Sequence, residues 1–471
     1  MTTTTAGHRP VEESRELGLA AARVVPPGSH ADWEPDPGRP DPVEILAGQN
    51  ATREPDLVPV RHGRMSASAF TFYRGAAAIM AADLESSAHA GLTVQLCGDA
   101  HLSNFGVFAS PERRLVFDLN DFDETLPGPF EYDVKRLAAS FAVAARNNGF
   151  AKRDRATVVR ASVRAYRNAM SDFAGMRTLD VWYASVSDEE LRAAARKLSR
   201  RMGEVKALKR GERNLDKART RDSLQALSKL AEVVDGEYRI VSQPPIVLRL
   251  GDLSAVHGRS LEESEELVRM GFAAYQASLP DDRRALLDRF RMVDFARKVV
   301  GVGSVGTRAF IVLLEGRGRQ DPLFLQAKEA TASVLEGHLP PSRYDNPGER
   351  VVQGQRLMQA ASDIFLGWSE GAPTERQYYF RQLRDMKASA LVESMSPAVL
   401  GFYAELCGWT LARAHARSGD PVALTAYLGT TDQFDKAVTD FALRYAKQNQ
   451  RDYEAFLAAV DDGRLEAQYD L

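Results

Sequence analysis

One stretch restricts this chain more than any other: residues 93–133, TVQLCGDAHLSNFGVFASPERRLVFDLNDFDETLPGPFEYD. A short β-strand is expected at Thr93 to Leu96, running into a loop that carries Gly98, Asp99, His101 and Asn104. A second strand, Leu115 to Leu119, empties into Asn120-Asp121-Phe122-Asp123-Glu124. Both strands deliver carboxylates to their C-terminal ends. Strand interiors fix the backbone, and the loops beyond leave acids free to meet a cation.

Spacing sharpens the reading. Asp99 and Asn104 stand five residues apart, and Asp121 follows after a strand of hairpin length. Phosphoryl transfer needs a carboxylate to orient and deprotonate a hydroxyl, with hard oxygen ligands for Mg²⁺ on the phosphates. Asp99 fits the first role, Asn104 and Asp121 fit the second, and Asp123 offers a further ligand. Asp118 suits the distance from Asn104, but its place inside a strand favours Asp121. His101 is either an orienting group for the loop or a satisfied buried histidine.

This stretch resembles the catalytic centre of the protein-kinase-like superfamily, aminoglycoside phosphotransferases and choline kinases in particular. The shared features are a Gly-Asp-x-x-x-x-Asn loop, a later Asp-Phe, and a further Asp twelve residues on at the head of a helix. Asp121 and Asp133 are twelve apart, and Asp133 opens the helical run VKRLAASFAVAAR. The chain departs in carrying Cys97 where those families often have His, and in the longer interval from Asn104 to Asp121. The whole sequence is also similar to a family of bacterial proteins catalogued only as a domain of unknown function.

A second region belongs to the same reading. VVGVGSVGTRAFIVLLEGRGRQDPLFLQAKEA, residues 299–330, alternates strands with glycine turns. Gly301, Gly303 and Gly306 form G-x-G-x-x-G, but a β-branched run follows them and no helix, so they cap a hairpin and do not open a Rossmann unit. Such a turn lays backbone N–H groups over a nucleotide's phosphates. Lys328 then ends the third strand, where the resemblance implies a nucleotide-phosphate contact. Its ion-pair partner is expected at Glu349, with Glu336 as the alternative, although Glu349 also sits where a capping box puts a carboxylate after Asn346. A strand at residues 377–387 leads into a hinge.

These parts come in reversed order. The resemblance implies an α+β, two-lobe kinase-like fold, circularly permuted, with the catalytic loop before the nucleotide clamp. The expected division is a Pro-rich mobile arm at 1–45, a helical lobe with the catalytic loops at 46–290, a β-rich clamp at 291–390 and a helical segment at 391–471. The expected function is an ATP- and Mg²⁺-dependent phosphotransferase acting on a small-molecule hydroxyl. A metal-dependent phosphoesterase built on Gly98-Asp99-Ala100-His101 is the rival, and a nucleotide-binding pseudokinase or AMP transferase is the third reading.

Bulk properties restrict the partners. A net charge of −3 and 27% charged residues give no general excess for nucleic acid. Twelve Lys/Arg face three acids between Arg192 and Arg221, but few aromatics interleave, so a solvated helix face is the plainer reading. His62, Arg64 and Arg74 flank the helix expected at 66–90 and read as solvated cations beside a turn before they read as substrate contacts. Apolar runs fall short of the roughly 20 residues that cross a bilayer. The N-terminus lacks an apolar signal core, and two cysteines, Cys97 and Cys407, suit a reducing cytoplasm.

Overall fold

The computed structural model describes residues 8–469 except 222, 257, 300, 370–375 and 384–385. Helix accounts for 56% and strand for 15%, and the mixed α+β chain carries several antiparallel sheets. Strands β1 (Thr93–Leu96), β2 (Phe105–Ala109), β3 (Leu115–Leu119) and β4 (Leu126–Pro129) build the first ones. β2 and β3 form a hairpin in register from Phe105↔Leu119 to Ala109↔Leu115, and β1 pairs with β4. The two-residue strand β5 (Val186–Ser187) borders β3. β6 (Ala231–Val234) and β7 (Glu237–Ile240) make a separate hairpin.

The largest sheet has six strands: β8 (Val247–Arg249), β9 (Arg291–Lys298), β10 (Ala309–Glu315), β11 (Pro322–Ala330), β12 (Gly367–Trp368) and β13 (Gln377–Gln382). Their spatial order is β12-β13-β11-β10-β9-β8. The run AFIVLLE is apolar without alternation because both faces of β10 are covered. Val312 and Leu314 face Tyr275, Leu279 and Leu287 on one side. Ile311 and Leu313 face Leu227, Leu230 and Ile240 on the other. Each buried aliphatic side chain contributes about 1.5–3 kcal/mol. After β13 the chain forms β14 (Ala388–Ser389), which pairs with β2 and so joins the large sheet to the hairpin.

The main core lies where helices Glu131–Asn147, Lys152–Ala174, Pro397–Ser418 and Gln433–Asp461 pack together. Helix Glu131–Asn147 is buried on nearly every side because Ala138, Ala139, Ala142, Ala144 and Ala145 let neighbours approach closely. Among the described residues, no helix is long and apolar enough to cross a membrane.

Three expectations are corrected. Proline content pointed to a mobile arm over 1–45; residues 1–7 lie outside the described residues, while Val11–Val24 is a helix packed on helix Pro421–Leu428. Trp33 stacks near Phe441 and Tyr445 at 5.6 and 5.0 Å, and the Arg39 guanidinium bridges Asp83 and Asp452. The helix expected over 66–90 breaks at Ala76 into Ala69–Gly75 and Ala77–Glu85. Helix Asp281–Leu287 is followed by β9 at residues 291–298, whose Met292 and Phe295 pack with Tyr275 and Leu287 and whose Val293 and Ala296 pack with Leu230 and Ile240. Residues 223–290 cover the six-stranded sheet and pack with it, so the body around that sheet begins well before residue 291. The basic stretch forms two antiparallel helices, Asp188–Met202 and Val205–Arg219, cross-linked by Arg192–Asp216 at 2.7 Å and Arg196–Glu212 at 3.2 Å.

Asp83 and Asp452 are nearly buried and share Arg39 as counter-ion. Arg39→Ala leaves both carboxylates buried and unmatched, so a loss of about 3–5 kcal/mol is expected in urea unfolding. An unchanged midpoint would mean that the N-terminal segment is not docked in solution.

Candidate functional site

The loop after β1 is held by Asp133. Its carboxylate accepts hydrogen bonds from the backbone N–H of Cys97 at 2.7 Å and Gly98 at 3.0 Å. His415 Nε2 lies 3.2 Å from the same carboxylate, and its Nδ1 meets the Tyr166 hydroxyl at 2.9 Å. Gly98 has φ +84, and a Cβ there would stand 2.1 Å from the Glu124 carbonyl oxygen, so only glycine fits. Burial pushes the Cys97 thiol well up, which removes it as a nucleophile.

Beyond Gly98 the loop folds on itself. The Asn104 side-chain amide donates to the Asp99 carbonyl at 2.7 Å, and Asn120 N–H donates to the Asn104 carbonyl at 3.0 Å. Asp99 turns its carboxylate into the cleft, where Arg136 donates to Oδ1 through Nε at 2.8 Å. Arg136 lies over the Tyr73 ring at 3.9 Å and also donates to the Tyr73 carbonyl, so its direction is fixed. His101 is 4% exposed. Ser103 N–H donates to His101 Nδ1 at 3.2 Å, which leaves Nε2 as the protonated nitrogen, 3.6 Å from Asp99 Oδ2. Burial lowers its pKa to about 4, with Asp99 opposing and Arg74 and Arg136 adding to the fall.

The second acid group comes from the end of β3. Asp118 stays inside the strand, buried against Arg413 and accepting Ala360 N–H at 2.8 Å. It is out of reach of a cleft ligand. Asp121 points outward, and Lys328 Nζ lies 3.6 Å from its Oδ1, an oxygen that is buried and has no hydrogen-bond partner. Burial would raise the Asp121 pKa, but Lys328, Arg381, Lys387 and His101 hold it down to about 2. Asp123 is paired on both oxygens: Oδ2 takes Lys328 Nζ, and Oδ1 accepts the Tyr379 hydroxyl at 2.5 Å. Burial would push the Lys328 ammonium down, yet Asp121 and Asp123 hold it above the ordinary lysine range.

That pairing revises two expectations. Asp123 was expected at a metal; in this structure its two oxygens meet Lys328 and Tyr379, one each. Glu349 and Glu336 were expected to pair with Lys328, and neither does. Glu349 lies in the first turn of helix Pro347–Met358, where its backbone N–H donates to the capping Asn346 side chain at 3.3 Å, and its carboxylate lies 3.5 Å from Gln353. Glu336 closes the capping box on Ser333 and lies 3.8 Å from Arg350. The helix instead turns Arg350 inward, to the carbonyls of Asp123, Thr125 and Thr331.

The glycine turn lies over these acids. Asp99, His101, Asn104, Asp121, Asp123, Gly301 and Gly303 line one cleft with Arg74 and Ser304. Gly303 runs so close to Arg74 that a Cβ would come within 3.0 Å of its carbonyl oxygen. Gly306 is turned away toward Arg53, its carbonyl accepting Glu54 N–H at 2.8 Å. Arg64 donates to the Gly301 carbonyl at 2.8 Å. His62 is buried away from the cleft between Asn50 and the Glu466 carbonyl. Sequence reasoning did not single out Arg136, Tyr379 or Arg350, and it read Arg74 as solvated. The signal for Arg136 was its place three residues after Asp133, one helical turn along the same face.

A family model described as an uncharacterized protein conserved in bacteria (DUF2252) matches residues 53–459. The chain belongs to this family. No curated protein and no solved structure matches it. The stretch matched to DUF2252 contains every side chain of the cleft and leaves out helix Val11–Val24.

His101 yields a pH prediction for this DUF2252 protein. Its pKa falls from 6.5 unfolded to about 4 folded, so between those values the unfolded state binds more protons. Stability present above pH 6.5 is lost as pH falls toward 4, with a slope contribution of at most about 1.4 kcal/mol per pH unit. His101→Gln is expected to flatten the fall in urea midpoint across that window. A slope identical to wild type would show that His101 is protonated in the folded protein.

Proposed function

We propose that this protein is an ATP- and Mg²⁺-dependent phosphotransferase with a circularly permuted kinase-like fold, acting on the hydroxyl of a small molecule. The observation that carries the reading is the meeting of Lys328, from the six-stranded sheet, with Asp121 at the end of the β2–β3 hairpin, in the cleft that also holds Asp99 and Asn104. The strand order supports it too. A glycine turn between β9 and β10, a lysine on β11, then a helix, β12 and β13 follow one another as the Gly-rich loop, lysine strand and helix do in kinase small lobes.

The donor set fits Mg²⁺. Asp121 offers a buried carboxylate oxygen without a hydrogen-bond partner, and Asn104 lines the same cleft. Among the described residues no group of three or more His, Cys, Asp or Glu is placed to hold a metal. Mg²⁺ suits that economy, since it takes one or two protein oxygens and completes its shell with phosphate and water. When bound, it neutralises developing charge on the phosphates. The remaining work falls to the chain. Asp99, aimed by Arg136, orients the acceptor hydroxyl and takes its proton, and neutral His101 steadies the loop beside it. Lys328 is poised to exchange Asp123 for the nucleotide's α and β phosphates. The Gly301–Ser304 backbone covers them.

Calorimetry with ATP, with and without Mg²⁺, tests the reading on wild type, Asp121→Ala and Lys328→Ala. ATP is expected to bind with Mg²⁺ and to lose roughly tenfold or more in each variant, the scale of a charge-assisted contact. Absence of ATP binding to the wild type overturns the reading.

A further inference from the structure

Several cations stand near the acids of the cleft. Lys328 is tied to Asp121 and Asp123, Arg136 to Asp99 and the Tyr73 carbonyl, and Arg381 and Lys387 line a neighbouring pocket beside Asn120. Arg74 lines the cleft itself, from the last turn of helix Ala69–Gly75. Its Nε is buried with no hydrogen-bond partner. Among the described residues, the guanidinium has no ion pair within 4.0 Å. Asp99 and Asp121 still act on it electrostatically, and burial weighs against its charge. Holding a guanidinium partly out of water without hydrogen bonds is costly. Its fork of donors matches a phosphate's oxygens.

We propose that Arg74 is the side chain that grips the terminal phosphate of the bound nucleotide, an inference that rests on the phosphotransferase reading. Position selects the terminal phosphate over the inner ones. Lys328 stands at the Asp121–Asp123 end of the acids, whereas Arg74 directly follows Tyr73, whose carbonyl accepts from the same Arg136 that holds Asp99. A phosphate on its way to a hydroxyl held by Asp99 must lie between those ends, in the cleft that Gly303 and Arg74 both line, where the Gly303 backbone packs against the Arg74 carbonyl. In the transfer the acceptor oxygen bonds to the terminal phosphorus, and the bond from that phosphorus to the bridging oxygen breaks. The acceptor's proton passes to Asp99, and the nucleoside diphosphate leaves with the electron pair. Arg74 meets the equatorial oxygens throughout, so it stabilises charge as the phosphate moves.

The test compares Mg²⁺-ATP with Mg²⁺-ADP by calorimetry on the full chain, in wild type, Arg74→Ala and Arg74→Lys. Arg74 makes no contact whose loss would unfold the protein, so the variants are expected to melt within about 2 °C of wild type. Arg74→Ala is expected to weaken ATP roughly tenfold to hundredfold and ADP less than twofold, with Arg74→Lys in between. Equal losses for ATP and ADP, or an unchanged ATP affinity, overturn the assignment while leaving the phosphotransferase reading in place. A wild type that binds neither nucleotide overturns both.

Discussion

A lysine that is 3% exposed has to be matched by negative charge, and Lys328 finds it 205 residues away in Asp123. An unpaired buried ammonium costs several kcal/mol, so this contact dictates how the six-stranded sheet and the β2–β3 hairpin face each other. Tyr379 reinforces it from the neighbouring strand: it is in register with Lys328 on β13 and donates its hydroxyl to the same carboxylate. Arg350 holds the backbone of that acidic turn by the carbonyls of Asp123 and Thr125 and ties it to Thr331 after β11. The lysine, the acids and the arginine form one polar seam between otherwise apolar bodies. A nucleotide entering the cleft would exchange a carboxylate partner for a phosphate one at little electrostatic loss.

Much of this seam was legible because its parts are local. The apolar strand before Cys97, the Asp99–Asn104 interval and the twelve residues from Asp121 to Asp133 each occupy a short span. What could not be read was pairing across distance. Glu349 looked suited to Lys328 from spacing alone, but the helix it opens is rotated so that Arg350 faces inward. Asp123 has the composition of a metal ligand, and only the fold shows that Tyr379 and Lys328 meet its oxygens. The N-terminal prolines suggested mobility because their neighbours are polar. The groups that dock them, Phe441, Tyr445 and Asp452, lie some four hundred residues later in the chain. Arg74 was misread for the opposite reason: nothing in its local sequence separates a solvated arginine from one held without partners in a cleft.

The helical body serves the loop in a way no single residue reveals. Asp133 and Arg136 lie on one face of helix Glu131–Asn147, one gripping the backbone before Asp99 and the other its carboxylate. His415, from helix Pro397–Ser418, braces Asp133 from behind. Two helices distant in sequence thereby set the direction of one carboxylate.

The glycine turn is moored on the far side as well. Arg53, the Glu54 backbone N–H and Arg64 donate to the carbonyls of Val305, Gly306 and Gly301, and Leu57 and Val60 pack on Val299 and Val305. These residues precede helix Ala69–Gly75, and through Arg61, which donates to the Gly75 carbonyl, they are joined to the element that carries Arg74. The turn is therefore no free flap. Raising it would pull on the segment that leads into helix Ala69–Gly75 and on toward β1, so the turn and the helix that carries Arg74 are coupled in any opening of the cleft.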